Sequence, residues 1–264
     1  MPIITISRGS YYHGRAIAEK LAAKLGYTCL SRDEIIAHLD EFHLPEIKLV
    51  RCLDDTFSVL ERFPYGKQRF VTAIRAALLE QFVQGKVVYH GLVGQYFLRN
   101  ISHVLKIRII ADTERRIADE MAREKVSAEQ ARFILKKDDE ERRKWAMFLY
   151  GIDILNADNY NMVIRIGHMA EDDAVDILAN AVQFPAFQET AESQALLEDE
   201  ALAARVSYRL FDFPHATATA HRGHLMISMK VPEEQRSLIE DRIAEVLANT
   251  TGVKEYSLQF EHYY

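Results

Sequence analysis

The stretch ITISRGSYYHGRAIAEKLAAKLGY, Ile4–Tyr27, sets the reading of the whole chain. Residues 3–7 are branched and apolar in the manner of a buried strand. Ala16 to Leu25 place Ile17, Leu21, Ala22 and Leu25 on one helical face before a stop at Gly26. Between strand and helix, Gly9 and Gly14 stand in GxxxxG spacing. A loop of that kind cradles phosphate when successive backbone N–H groups point at the anion from a helix N-terminus, with glycines permitting a close wrap. In the full pattern a lysine follows the second glycine, and then a hydroxyl that ligates Mg²⁺. Here Arg15 keeps the charge and Ala16 has no hydroxyl. The expectation is that the backbone cradle survives, with Tyr11, Tyr12 and His13 lying outward or against the ligand.

Working outward, 264 residues with 48% hydrophobic content suffice for one large core or two smaller ones. A net charge of −6 gives no global field for nucleic acid or anionic lipid. No apolar run reaches membrane-spanning length, and the start lacks the features of a signal peptide, so a cytoplasmic protein binding neither membrane nor nucleic acid is expected. Cys29 and Cys52 are too few and too loosely spaced for a disulfide scaffold or a zinc site. Of the ten histidines, His221 and His224 stand at i,i+3 without a third ligand nearby, and no metal site is expected.

Further along, Ser31 and Glu34 form a capping box after a short extended segment, Tyr27 to Leu30. Thr72 to Val83 reads as a helix ended by Gly85, KVVYHGL as a buried strand, and VLKIRIIAD (104–112) as another. Asp112 or Thr113 starts a helix, residues 127–149 form a charged helix, NYNMVIRIG supplies a strand, and a helix covers 171–182. Strands alternating with helices predict an α/β fold, a parallel sheet with helices on both faces. A polar, acidic stretch from residue 184 reads as a linker over 184–200, dividing residues 1–183 from a small α+β module at 201–264. In that module two strands meet at a turn on Arg222 and Gly223; a helix with Pro232 at its start and Gly252 past its end follows, then the strand VKEYSLQF.

These residues resemble the bacterial cytidylate-kinase-like proteins, relatives of the nucleoside monophosphate kinases with a P-loop fold. The resemblance rests on ITISR…GRAIAEKLAAKLGY, on LSRDEII, on VVYHGLVGQYFLRNISHVLKIRIIAD, and on DDEERRKWAMFLYGIDILNADNYNMVIRIGHM, and spans about residues 3–182. Within the last segment Asp139, Arg142, Trp145, Tyr150, Gly151, Asp153 and Tyr160 fit the family's pattern. The resemblance implies that Arg8, Gly9, Ser10, His13, Gly14, Arg15 and Ala16 hold the phosphates of ATP, with Mg²⁺ lacking its usual hydroxyl ligand. It implies that Ser31, Arg32, Asp33, Gly91 and Asp153 face a nucleoside monophosphate or related phosphate acceptor. KKDDEERRKW becomes a lid whose Arg142 and Arg143 act catalytically together with Arg15. Positioning and cationic stabilisation dominate phosphoryl transfer, which suits arginines on a helix; the alternative for them is a solvated helix face with i,i+4 pairing. Arg115 and Arg116, just beyond a strand end, carry the same two readings.

The chain departs from the family at Tyr11, Tyr12 and His13, at Ala16, at Gly91, Leu92 and Val93 where cytidylate kinases carry Gly-Arg-Asp, and at Asn161 and Arg165. The C-terminal module resembles a BON domain at Arg222, Gly223, Gly252, Val253 and Lys254, which implies a regulatory or assembly role, an interface between copies of the chain included. The leading expectation is an ATP-dependent phosphotransferase. A non-catalytic nucleotide-binding switch and an assembly protein with an emptied P-loop are the alternatives.

Overall fold

The computed structural model describes residues 2–38, 65–91, 94–213 and 216–261. Among them the elements run β1 (Ile3–Arg8), α1 (Tyr11–Leu25), β2 (Thr28–Ser31), α2 (Arg32–His38), α3 (Gly66–Val83), β3 (Val87–Gly91), β4 (Val104–Ala111), α4 (Thr113–Glu124), α5 (Ala128–Tyr150), β5 (Met162–Ile166), α6 (Glu171–Ala181), α7 (Ala191–Arg209), β6 (Thr217–His221), β7 (His224–Lys230), α8 (Arg236–Ala248) and β8 (Glu255–Glu261). The chain divides into two compact units, one of residues 1–34 and 84–189, the other of residues 35–83 and 190–264.

The first unit is a five-stranded parallel sheet in the order β2-β3-β1-β4-β5. Strand β1 is central because Ile3, Ile4, Thr5 and Ile6 are all buried, as a strand covered on both faces requires. On one face, Ile4, Ile6, Val88, Leu105, Ile107 and Ile109 pack against Ile17, Ala18, Leu21 and Ala22 of α1 and Ala174, Val175 and Leu178 of α6. The helical stripe read from the sequence is thus the packed one, with Leu25 partly buried beside it. Gly26 ends α1 at φ 67°, where its N–H meets carbonyls of the last turn. Ser31 and Glu34 form the expected reciprocal cap, at 2.7 and 3.2 Å.

In the second unit β6 and β7 pair antiparallel, β7 and β8 parallel. Leu225, Ile227 and Met229 face Leu202, Val206 and Leu210 of α7 and Ile243 and Leu247 of α8. Here the structure corrects the sequence reading of 184–200 as a linker. Helix α7 begins at Ala191, capped by Thr190, and buries Leu197 completely. Its acidic residues lie between apolar positions that form a helical face, which net composition conceals. The second unit also takes in residues 65–83, whose helix α3 packs on α7 with an Arg75–Glu200 ion pair.

The turn at Arg222 and Gly223 forms with φ 52° and 79°, the pair of positive values that a two-residue hairpin needs. Its two N–H groups donate to the buried carboxylate of Asp199 on α7, at 2.6 and 2.8 Å. Removing that carboxylate leaves two amides without partners and the hairpin unlatched from the helix. Asp199→Ala is expected to lower stability by about 2 kcal/mol, read as a shift of the urea midpoint at unchanged slope.

Candidate functional site

In parallel α/β sheets, ligands gather beyond the carboxyl ends of the central strands. At that edge only Gly9 and Ser10 separate β1 from α1. This corrects the expectation of a wrapped cradle: Tyr11, Tyr12, His13 and Gly14 all belong to the first turn of the helix. Two amides expected to face an anion are already taken. Ser10 N–H donates to the Ile109 carbonyl at 3.0 Å, and Gly14 N–H to the Ser10 carbonyl at 3.0 Å. Both glycines answer to the protein's own packing. A methyl group on Gly14 would lie 2.7 Å from Arg8 Cγ, and one on Gly9 would lie 2.8 Å from Ile110 Cγ2 and 3.2 Å from the Arg108 guanidinium.

His13 explains why the turn closes. Its ring is buried, with Nδ1 2.8 Å from Glu171 Oε1 on α6 and Nε2 2.9 Å from Asp119 Oδ2 on α4. The residue expected to lie outward or against phosphate is drawn inward between two carboxylates. Burial works to raise the Glu171 carboxyl, and hydrogen bonds from His13 and Lys20 overcome it, holding the carboxyl below its usual value. Tyr12 does lie outward, 58% exposed. Arg15 points away from the helix start and pairs with Glu19 at 2.7 Å. Ala16 offers only a methyl group, and among the described residues no cluster of three or more His, Cys, Asp or Glu could hold a metal ion. The donor set does not fit a protein-held Mg²⁺.

The α4–α5 helix pair brings three arginines to the start of α1. A cleft of about 40 Å³ is lined by Ser10 and Tyr12 at the start of α1, by Arg116, Asp119, Glu120 and Arg123 of α4, and by Leu135, Asp138 and Arg142 of α5, with Arg123 paired to Glu120 at 2.7 and 2.9 Å. Arg116 forms a two-pronged pair with Asp139 at 2.7 and 2.8 Å, and Arg142 reaches the same carboxylate at 3.2 Å. Burial pushes the Arg142 guanidinium below its ordinary value, against the pull of Asp139 and Asp138, and burial likewise raises the Asp138 carboxyl. The cleft holds little more than one water in this arrangement. An entering phosphate must displace carboxylates from the arginines. The spacing Arg116 to Arg123, two helical turns on one face, is the signal for the arginine that the sequence reading passed over.

Arg143 does not join them. It is half exposed and pairs with Asp153 at 2.9 Å, so a residue expected to be catalytic and one expected to bind substrate satisfy each other. A backbone hydrogen bond from Leu155, together with Arg143, holds the Asp153 carboxyl low.

A second cavity, of about 190 Å³, is lined by Arg8, Arg15, Glu19, Cys29, Ser31, Asp33, Glu34 and His90. Ser31 and Asp33 therefore share a cavity with Arg15. Arg32 pairs with Asp33 at 3.5 Å, and Gly91 leaves room for the buried ring of Tyr89. Leu92 and Val93, where the family carries its acceptor contact, lie outside the described residues, as does Cys52. Burial raises the Cys29 thiol to about 11, which keeps it protonated. His90, at the end of β3, is pushed down to about 4, first by burial and then by Arg8.

Two outcomes follow from this geometry. Gly14→Ala forces a methyl against the root of the Arg8 side chain and is expected to destabilise by about 1–3 kcal/mol in urea unfolding. The depressed His90 value means that the unfolded chain binds a proton more readily than the folded one between about pH 6.5 and about 4. Stability therefore falls as pH drops through that window, and His90→Gln is expected to flatten the dependence measured by thermal unfolding across it.

The family described as the cytidylate kinase-like family matches residues 3–168. A cytidylate kinase from Sulfolobus acidocaldarius is 21% identical over 168 residues, covering 63% of this chain and 86% of the relative. Among solved structures, an uncharacterized protein from Eubacterium ventriosum superposes with a TM-score of 0.53 at 17% identity, over 69% of this chain and 98% of the other. A dephospho-CoA kinase from Campylobacter jejuni gives a TM-score of 0.40 at 17% identity, over 69% and 97%. The five-stranded parallel sheet is thus a P-loop kinase-like fold, and the chain belongs to the cytidylate kinase-like family.

Proposed function

We propose that this protein is a kinase-like phosphotransferase that moves a phosphoryl group from a nucleoside triphosphate, ATP, to a small acceptor. The observation that carries the reading is the gathering of Arg116, Arg123 and Arg142 across a cleft from Ser10 and Tyr12 at the start of α1. Phosphoryl transfer asks for cations around the equatorial oxygens, and the three arginines at this edge of the sheet support that reading. ATP supplies the phosphoryl group when bound. Arg142 and Arg116 exchange Asp139 for phosphate oxygens, and the cavity beside Arg8, Arg15, Ser31 and Asp33 takes the acceptor. The second reading, a nucleotide-binding switch without turnover, is favoured by one observation, the closed Gly9–Ser10 turn. In either case the strand–strand–helix–strand order of the second unit supports a BON-like regulatory module.

The test is calorimetry with ATP together with ADP formation in the presence of Mg²⁺ and a panel of small acceptors. Arg142→Ala is expected to reduce turnover about 10²–10³-fold while changing ATP affinity far less. Asp139→Asn, which removes the competing carboxylate, is expected to tighten ATP binding. Unchanged turnover in Arg142→Ala would assign the arginine to the helix surface, and binding without ADP formation in the parent protein would leave the switch.

A further inference from the structure

Arg108 is a buried charge for which the fold supplies no counter-ion. It stands on β4 beside Ser7 of β1 and is 8% exposed. Among the described residues no carboxylate comes within ion-pair distance of its guanidinium, and Nη1 alone makes polar contacts, to Ser7 Oγ at 3.4 Å and to Tyr160 OH at 3.5 Å. Both are longer than a well-formed N–H···O bond. Nε and Nη2 donate to none of the described residues, yet neither is sealed from solvent. Asp153 is not the missing partner: its carboxyl is held low first by the Leu155 N–H and then by Arg143, with the charge of Arg108 the last contribution. A guanidinium withdrawn from water in this way is costly until an anion meets it. Its place tells which anion. A methyl group on Gly9 would stand 3.2 Å from Nη2, so the bare α-carbon there is what admits the guanidinium to the underside of the Gly9–Ser10 turn. Ser10, the next residue, lines the cleft that Arg116, Arg123 and Arg142 share.

We infer that Arg108 is a fourth arginine of the phosphoryl-transfer site, and that its Nε and Nη2 donate to an equatorial oxygen of the transferring phosphoryl group from beneath the Gly9–Ser10 turn while the arginines of α4 and α5 approach from the cleft. The inference rests on the phosphotransferase reading. Arg108 makes and breaks no covalent bond. As the acceptor oxygen bonds to the γ-phosphorus and the bond from that phosphorus to the β,γ-bridging oxygen breaks, ADP departs with the electron pair, and the guanidinium meets the charge spread over the equatorial oxygens. Ser7 and Tyr160 hold Nη1, and the Nε–Nη2 edge is the planar, two-pronged donor that suits a tetrahedral oxyanion. Being set from below by the sheet, this arginine needs no exchange of a carboxylate before it can act, in contrast to Arg116 and Arg142.

The experiment uses the full chain and two independent readouts. In the first, calorimetry compares ATP with ADP plus orthovanadate, which takes the trigonal shape of a phosphoryl group in transfer, on the parent and on Arg108→Gln. The variant is expected to lose at least about 30-fold in affinity for the vanadate complex while ATP affinity stays within about threefold. In Arg108→Ala, turnover is expected to fall at least about 100-fold and to recover at least about tenfold with guanidinium chloride, but not with urea, a neutral molecule of the same shape, at equal non-denaturing concentration. Where either variant does not match the parent's melting curve, Arg108→Lys takes its place, with an expected loss of at least about tenfold for the vanadate complex alone. The second readout needs no turnover: ³¹P titration with inorganic phosphate is expected to give a saturable shift in the parent and binding at least about tenfold weaker in Arg108→Gln. Equal losses for ATP and the vanadate complex, no loss for either, or unchanged turnover in Arg108→Ala would overturn the inference and leave Arg108 a prop of the turn. Phosphate held through Arg108 by a protein that forms no ADP would set aside the phosphotransferase reading and leave the anion site standing.

Discussion

The placement of His13 between Asp119 and Glu171 is the interaction on which the first unit's ligand edge depends. One side chain from the first turn of α1 meets one carboxylate from α4 and another from α6, and Lys20, one helical stretch later, reaches Glu171 and Asp172. Five charged or chargeable groups thereby fix where α1 begins. Once it begins at Tyr11, the strand-to-helix connection has two residues, and its glycines serve close packing on Arg8, Ile109 and Ile110. The phosphate-loop spacing is present in the chain. The phosphate-loop backbone is not, because a helical turn and a wrapped loop cannot use the same amides.

The same economy of partners governs the arginines. Arg116 and Arg142 converge on Asp139, while Arg143 is held apart by Asp153. Charge-assisted pairs of this kind fix a guanidinium at small net gain, since desolvation offsets most of the attraction. Such pairs are exchangeable, and a phosphate with more acceptor oxygens than a carboxylate is a competent replacement. Arg108 shows the contrasting case. It is buried beneath Gly9 against the hydroxyls of Ser7 and Tyr160, at 3.4 and 3.5 Å, where it props the turn from below.

The second unit is built on a different principle, a hairpin latched to a helix by one carboxylate. Its turn was readable at Gly223, because a positive φ angle is adopted freely by glycine, and Arg222 takes φ 52° beside it. Asp199 was not readable as their partner. It lies 23 residues before the turn, among other acidic residues of α7 from which no spacing distinguishes it. The extent of the unit was hidden for a related reason: α3 lies far upstream, and only packing against α7 assigns it there.

The sequence by itself determined the elements and the class of fold. Ile17, Leu21 and Ala22 repeat at helical spacing, β1, β3 and β4 are rich in branched apolar residues, and Gly26 and Ser31 mark ends through backbone and capping requirements that are local. Family membership follows from the same local patterns and their order. What only the tertiary structure decided is which charges meet. His13 and Glu171 are 158 positions apart, and their pairing turns a phosphate-loop spacing into a closed helical start. Arg108 reads in the sequence as one more residue of a strand. Its lack of a counter-ion becomes visible only when β1, β4 and Tyr160 come together around it, because the pairing of a charge belongs to the surroundings of a side chain and not to its place in the chain.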